Sequence, residues 1–216
     1  MAKKKSVQGV KLFAPEVRLS FPALDEPTAF EDGQEKKFRA TFLYDMTNPA
    51  HKAKIKEIKA EAQRLVKEAY GNSFSLKEPP PNFKGFCFGN GNKVVDDEGN
   101  IRDGYADHFW VRTAVSVSPG VGVANRRSEP VRPGDPQFPY GGCYVNAKFN
   151  LWAQDNKYGK RINGGLIAIQ FVKEGDAFGA APVNVEDEFD ALEDNSPADE
   201  GLGSGGDDDW DDDLDI

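Results

Sequence analysis

Charge is distributed so unevenly along this chain that it cannot fold as one body. Residues 186–216 hold fifteen acidic side chains and no Lys or Arg. Such a run, with few apolar residues, cannot bury enough surface to offset its lost conformational entropy, and it stays solvated. Residues 1–185 keep 27 basic and 21 acidic side chains, a formal balance of +6 against −15 for the tail. The sequence therefore reads as a folded domain over 1–185 and a disordered acidic tail over 186–216. Hydrophobic residues make up 38 % of the chain, low enough to agree with an unfolded portion. Within the tail, residues 201–206 are a Gly/Ser linker. Beyond it, Trp210, Leu214 and Ile216 stand among Asp211, Asp212, Asp213 and Asp215. A purely solubilising tail needs no such anchors. They suit a peptide that docks, with apolar side chains in pockets and carboxylates on a basic surface, the chain's own +6 domain included.

In the domain, apolar residues recur mainly at every second position, the signature of half-buried strands. Residues 16–22 predict a strand with Val17, Leu19 and Phe21 inward and Arg18 and Ser20 outward. Residues 36–45 alternate Phe38, Ala40, Phe42 and Tyr44 against Lys37, Arg39 and Thr41. Residues 107–118 set Phe109, Val111, Thr113, Val115 and Val117 against His108, Trp110, Arg112, Ala114 and Ser116. Residues 142–154 set Cys143, Val145, Ala147, Phe149 and Leu151 against Tyr144, Asn146, Lys148, Asn150 and Trp152. Shorter strands are expected at 83–89, 121–127 and 166–172. One long helix interrupts them. Thr47 or Asn48 caps it, Pro49 suits its first turn and Gly71 ends it, with Ile55, Ile58, Ala62, Leu65 and Ala69 as one apolar stripe. Five or six strands and one helix in this length predict a mainly β fold. An OB-fold-like antiparallel five-stranded barrel with one inserted α-helix is expected, with a β-sandwich as the alternative.

The outward residues carry the chemistry. Arg18, Lys37, Arg39, Trp110, Arg112, Tyr144, Lys148 and Trp152 place flat rings in register with cations on more than one strand. Single-stranded nucleic acid needs that pairing. Unpaired bases stack on aromatic rings, cations follow the phosphates, and neither contact reads sequence. Enzyme chemistry is poorly served. His108 and Asp107 are adjacent, so on a strand they point to opposite faces. A metal-dependent nuclease would use Asp96, Asp97 and Glu98, or Asp103 and Asp107, but the first three sit beside Gly99-Asn100 as in a turn. The glycines lack phosphate-loop spacing. Two cysteines, Cys87 and Cys143, cannot make a disulfide framework or a zinc site and read as small core residues. No cofactor is expected. No apolar run reaches the length of a membrane span, and no apolar stretch follows the basic N-terminus as in a signal peptide, so a cytoplasmic protein is expected.

A β-rich domain with an aromatic and basic face, a Gly/Ser linker and an acidic tip with apolar anchors resembles the phage single-stranded-DNA-binding proteins. Segments 17–24, 38–45, 83–90, 109–117 and 144–152, with the helix after Asn48-Pro49, are similar in order to a phage OB-fold family long described only as a domain of unknown function. The resemblance implies a non-catalytic protein that coats single-stranded DNA in phage replication, recombination and repair, in the host cytoplasm. It also implies a tail that competes with DNA for the groove and recruits replication proteins such as the polymerase. The chain departs from relatives that end in Phe or Pro-Phe, since it ends Leu214-Asp215-Ile216. Pairing into a homodimer through a strand edge or the tail stays open. A second reading makes the tail the working part of an acidic-tailed chaperone or adaptor for basic proteins.

Overall fold

The computed structural model describes residues 5–29 and 33–178; the tail anchors Trp210, Leu214 and Ile216, the carboxylates around them and the expected disorder lie outside the described residues. The elements run β1 (Lys5–Thr28), β2 (Lys37–Asp45), α1 (Pro49–Tyr70), β3 (Phe83–Phe86), β4 (Phe88–Asn90), β5 (His108–Ser116), β6 (Gly122–Ala124), β7 (Tyr144–Asn156) and β8 (Gly159–Lys173). Strand β1 pairs with β2 on one side and β7 on the other, β2 continues to β5, and β7 continues to β8. All four junctions are antiparallel. The circle closes where β8 meets β5 in parallel at Ala114–Gly165. The result is a closed five-stranded barrel of the OB type, mainly β, with α1 between its second and third strands. Glycine makes the closure possible. A Cβ at Gly164 would stand 2.5 Å from the Arg112 carbonyl, and one at Gly165 would stand 2.3 Å from Asn150 Oδ1.

The barrel is filled by the inward set of each strand, including Leu12, Val17 and Leu19 of β1, Phe42 and Tyr44 of β2, Phe109 and Val111 of β5, Phe149 and Leu151 of β7, and Ile162 and Ile169 of β8. Helix α1 packs on this core through Ile55, Ile58, Ala62, Leu65 and Val66. Burying an aliphatic side chain of this size contributes about 1.5–3 kcal/mol. Asn48 caps the helix by accepting from the Ala50 and His51 N–H groups, and Gly71 ends it. Thr47 instead bonds to Asp45. Val66 completes the apolar stripe, while Ala69 is half-buried.

Several expectations change. Val117, read with the inward set, lies past the end of β5 and is 54 % exposed. The first strand is longer than residues 16–22: it begins at Lys5 and pairs with β7 along most of its length. Its alternation breaks where register shifts bulge the strand, so Phe21 turns outward, 57 % exposed, with φ at 45°, and Ser20 is buried. Thr41 is buried as well, although its face of β2 was expected to be open. Tyr105, itself buried, reaches from the segment between β4 and β5 to within 3.2 Å of the Oγ of Ser20, the residue opposite Thr41.

Candidate nucleic-acid interface

On the outer face of the β2–β5 pair, register sets Leu43 opposite Trp110, Thr41 opposite Arg112, Arg39 opposite Ala114 and Lys37 opposite Ser116. Trp110 is half-exposed and lies on the backbone of β4, where Gly89 is its partner. Only glycine fits there, because a Cβ would stand 2.8 Å from the indole. The Arg112 guanidinium lies 5.2 Å from the Trp110 ring centre, so the strand presents a supported ring with a cation over it. Lys37 pairs with Glu35 at 3.2 Å, and Arg39 donates to the Thr28 carbonyl and hydroxyl. Both cations are thereby held at one end of the face.

The other four predicted residues lie on the β1–β7 pair. Tyr144 stands opposite Arg18 on β1 and Lys173 on β8. Arg18 donates from Nη2 to the Asp176 carbonyl at 2.7 Å and from Nε to the Gly142 carbonyl at 3.3 Å, and its guanidinium lies 4.2 Å over Phe178. Its charge therefore serves first to hold the segment after β8. Lys173 Nζ lies 4.6 Å over the Tyr144 ring and pairs with Glu16. Lys148 is exposed between Phe13 and Ala168, and Trp152 is half-exposed between Gln8 and Asn163. One cross-strand row, Tyr144–Arg18–Leu43–Trp110, connects the two groups. Leu43 in its middle is buried, so the wall is interrupted there. The eight residues thus form two aromatic and basic patches on one barrel, each on its own strand pair. Neither indole is among the buried residues.

A third cluster escaped the sequence reading. The tip of the β7–β8 hairpin carries Tyr158, 70 % exposed, with Lys157 Nζ 4.9 Å from the ring. Lys84 and Lys160 line a cavity of about 390 Å³ beside it. A lone Tyr between Lys and Gly carries no periodicity, so only the pairing of the hairpin reveals it. The loop after β6 also builds a cavity of about 730 Å³ with Arg126 and Arg127 on its wall. Gln170 of β8 anchors that loop through Ser128 Oγ and the Arg126 carbonyl.

Other chemistry is accounted for by structure. Asp96 Oδ1 accepts the Glu98 and Asn100 N–H groups at 3.0 and 2.9 Å, as a turn residue does. Among the described residues, no three His, Cys, Asp or Glu side chains converge to hold a metal ion. His51 is buried and ties the end of β2 to β1, accepting the Asp45 N–H at Nδ1 and reaching the Pro15 carbonyl through Nε2. Burial pushes the Cys87 thiol up to about 12 and the Cys143 thiol up to about 11, so neither is an activated nucleophile. Among the described residues, no helix is long and apolar enough to cross a membrane.

Comparison with known proteins fits this geometry. Residues 10–200 match the family described as Enterobacter phage Enc34, ssDNA-binding protein. A protein designated p50, from Acyrthosiphon pisum secondary endosymbiont phage 1, is 33 % identical over 185 residues, which are 85 % of this chain and 94 % of that one. The single-stranded DNA-binding protein from bacteriophage Enc34, solved in complex with ssDNA, is similar in structure with a TM-score of 0.64 and 27 % identity, over 83 % of this chain and all of the other. A C-terminal truncation of the same protein gives 0.61 and 28 %, over 78 % of this chain and 88 % of the other. With the family match spanning most of its length, this chain belongs to the Enc34 ssDNA-binding protein family.

Proposed function

We propose that this protein binds single-stranded DNA without sequence preference and coats it during phage replication, recombination and repair in the host cytoplasm. The observation that carries the reading is the supported ring on β5: Trp110 laid over Gly89, with Arg112 above it and Lys37 and Arg39 farther along the same face. In OB barrels the face of the second and third strands and the loop joining the fourth to the fifth take oligonucleotides. In this barrel those are the β2–β5 face and the hairpin bearing Lys157 and Tyr158. Membership of a family named for ssDNA binding, and likeness to a relative solved with ssDNA, support the same assignment. Tyr144, Lys148 and Trp152 form the accompanying patch, and Arg18 organises its edge.

The acidic tail, with −15 against +6, is read as a competitor for the cationic face that DNA displaces. Its freed anchors, Trp210, Leu214 and Ile216, then recruit replication proteins such as the polymerase. Titration of a fluorescein-labelled oligothymidine tests both parts. The full chain binds at low salt, and Trp110→Ala weakens binding by about 1–3 kcal/mol. Residues 1–185 bind more tightly than the full chain. Absence of binding by either form overturns the assignment, and equal affinity of the two forms removes the tail from it.

A further inference from the structure

We infer that Phe21, backed by Arg102, is a base-stacking platform of this interface. The inference rests on the ssDNA-binding reading above and adds to it a residue that period-two alternation assigns to the core. Four observations converge on it. Phe21 is 57 % exposed in the middle of β1, although Val17 and Leu19 before it are fully buried. Its φ of 45° is a conformation that residues with side chains adopt rarely and at an energetic penalty. Residues held that way cluster at binding and active sites. The Arg102 guanidinium lies 5.1 Å from the ring centre, and the Tyr105 ring stands at 6.4 Å. Finally, the register places the residue beside the cationic wall. Phe21 falls between Ser20, opposite Thr41, and Ala23, opposite Arg39, and Thr41 itself stands opposite Arg112.

The geometry explains how the ring is presented. The bulge in β1 rolls the strand so that the side chain after Ser20 leaves the core. Tyr105 then fills the space beneath, fixed through Ser20 Oγ at 3.2 Å. Arg102 is held by its backbone, donating to the Val94 carbonyl at 2.9 Å while its own carbonyl accepts the Tyr105 N–H at 3.0 Å. An apolar ring displayed for a protein partner would be expected among other apolar side chains. Here Arg102 lies over the ring and Arg39 stands on the neighbouring strand opposite Ala23, two residues along, which suits a base with phosphates on either side. Arg102 both stacks on the ring and supplies a charge for the adjoining phosphate.

The test compares full-length wild type, Phe21→Gly and Phe21→Trp by oligothymidine anisotropy and by thermal unfolding. Phe21→Gly is expected to weaken binding roughly five- to a hundred-fold, the loss of one stacked base. Its melting temperature is expected to hold or rise, because glycine accepts a positive φ freely. Phe21→Trp keeps affinity within about twofold, and wild type crosslinks through Phe21 to an oligonucleotide carrying 5-iodouracil. If wild type binds and Phe21→Gly binds within twofold of it, this inference falls alone. If Phe21→Gly lowers the melting temperature, or Phe21→Trp loses as much affinity as the glycine variant, the ring is a packing element and the inference falls. If wild type fails to bind, the ssDNA reading falls first and takes this one with it.

Discussion

A Cβ at Gly89 would stand 2.8 Å from Cζ2 of Trp110 and 3.1 Å from its Nε1. Contacts that short force the indole off the β4 backbone. Gly89→Ala is therefore expected to lower oligonucleotide affinity toward that of Trp110→Ala. Fold stability should hardly change, because the half-exposed ring swings into solvent. The two substitutions act on one contact, so the double variant should bind no worse than Trp110→Ala alone, and an additive loss would show that Gly89 acts elsewhere. Trp110 and Arg112 were legible in the sequence because β5 keeps strict alternation from Phe109 to Thr113. Gly89 was not, since a glycine's role depends on what lies across the sheet. Phe21 was misread for a similar reason: a positive φ and a register shift leave no mark in the hydrophobic pattern.

At the scale of elements, α1 was legible from end to end, because its cap, its first-turn proline, its apolar stripe and its terminal glycine all agree. The first half of β1 was not. Val10 and Phe13 are exposed while Leu12 and Ala14 are buried, so bulges put apolar residues on both sides and erase the period of two. Beside their shared apolar core, these two elements make a polar contact. Glu61 of α1 accepts the Val10 N–H at 2.9 Å and the Arg64 guanidinium at 2.8 and 2.9 Å. Gly9 leaves room for the clasp, since a Cβ there would stand 2.6 Å from Glu61 Oε1. The Arg64 hydrogen bond, helped by the Val10 N–H, holds the Glu61 carboxyl below its ordinary value of 4.5. A carboxyl lowered on folding stabilises the fold above its unfolded value and loses that contribution as pH falls through its folded value. Glu61→Gln is expected to cost about 1–3 kcal/mol at neutral pH, read from urea unfolding. The gap to wild type should narrow below about pH 4.5. A gap independent of pH would assign the effect to packing.

For the molecule as a whole, two aromatic and basic patches on one barrel allow two paths for a bound strand. Strand order was accessible to sequence reasoning only as a class of fold. The parallel seam at Ala114–Gly165 depends on contacts between segments about fifty residues apart. That seam leaves β8 between the β5 and β7 patches on one side of the barrel, and buried Leu43 between them on the other. A strand confined to the β2–β5 face meets Lys37, Arg39, Arg102 and Arg112. Single-strand binding loses about 0.7 in logarithmic salt slope per phosphate contact, so this path predicts a slope of about −2.8. A fourfold rise in salt then weakens binding roughly fifty-fold. A strand that also follows β7 engages Lys148 and the Arg126–Arg127 loop, and three more contacts steepen the slope to about −4.9. The confined path is expected, because the Trp110–Arg112 pair lies on the β2–β5 face and buried Leu43 interrupts the wall toward the β7 patch. Measured slopes for wild type and Lys148→Ala decide it. Equal slopes near −2.8 support the confined path, while a steeper wild-type slope that Lys148→Ala reduces by about 0.7 shows DNA wrapping the barrel.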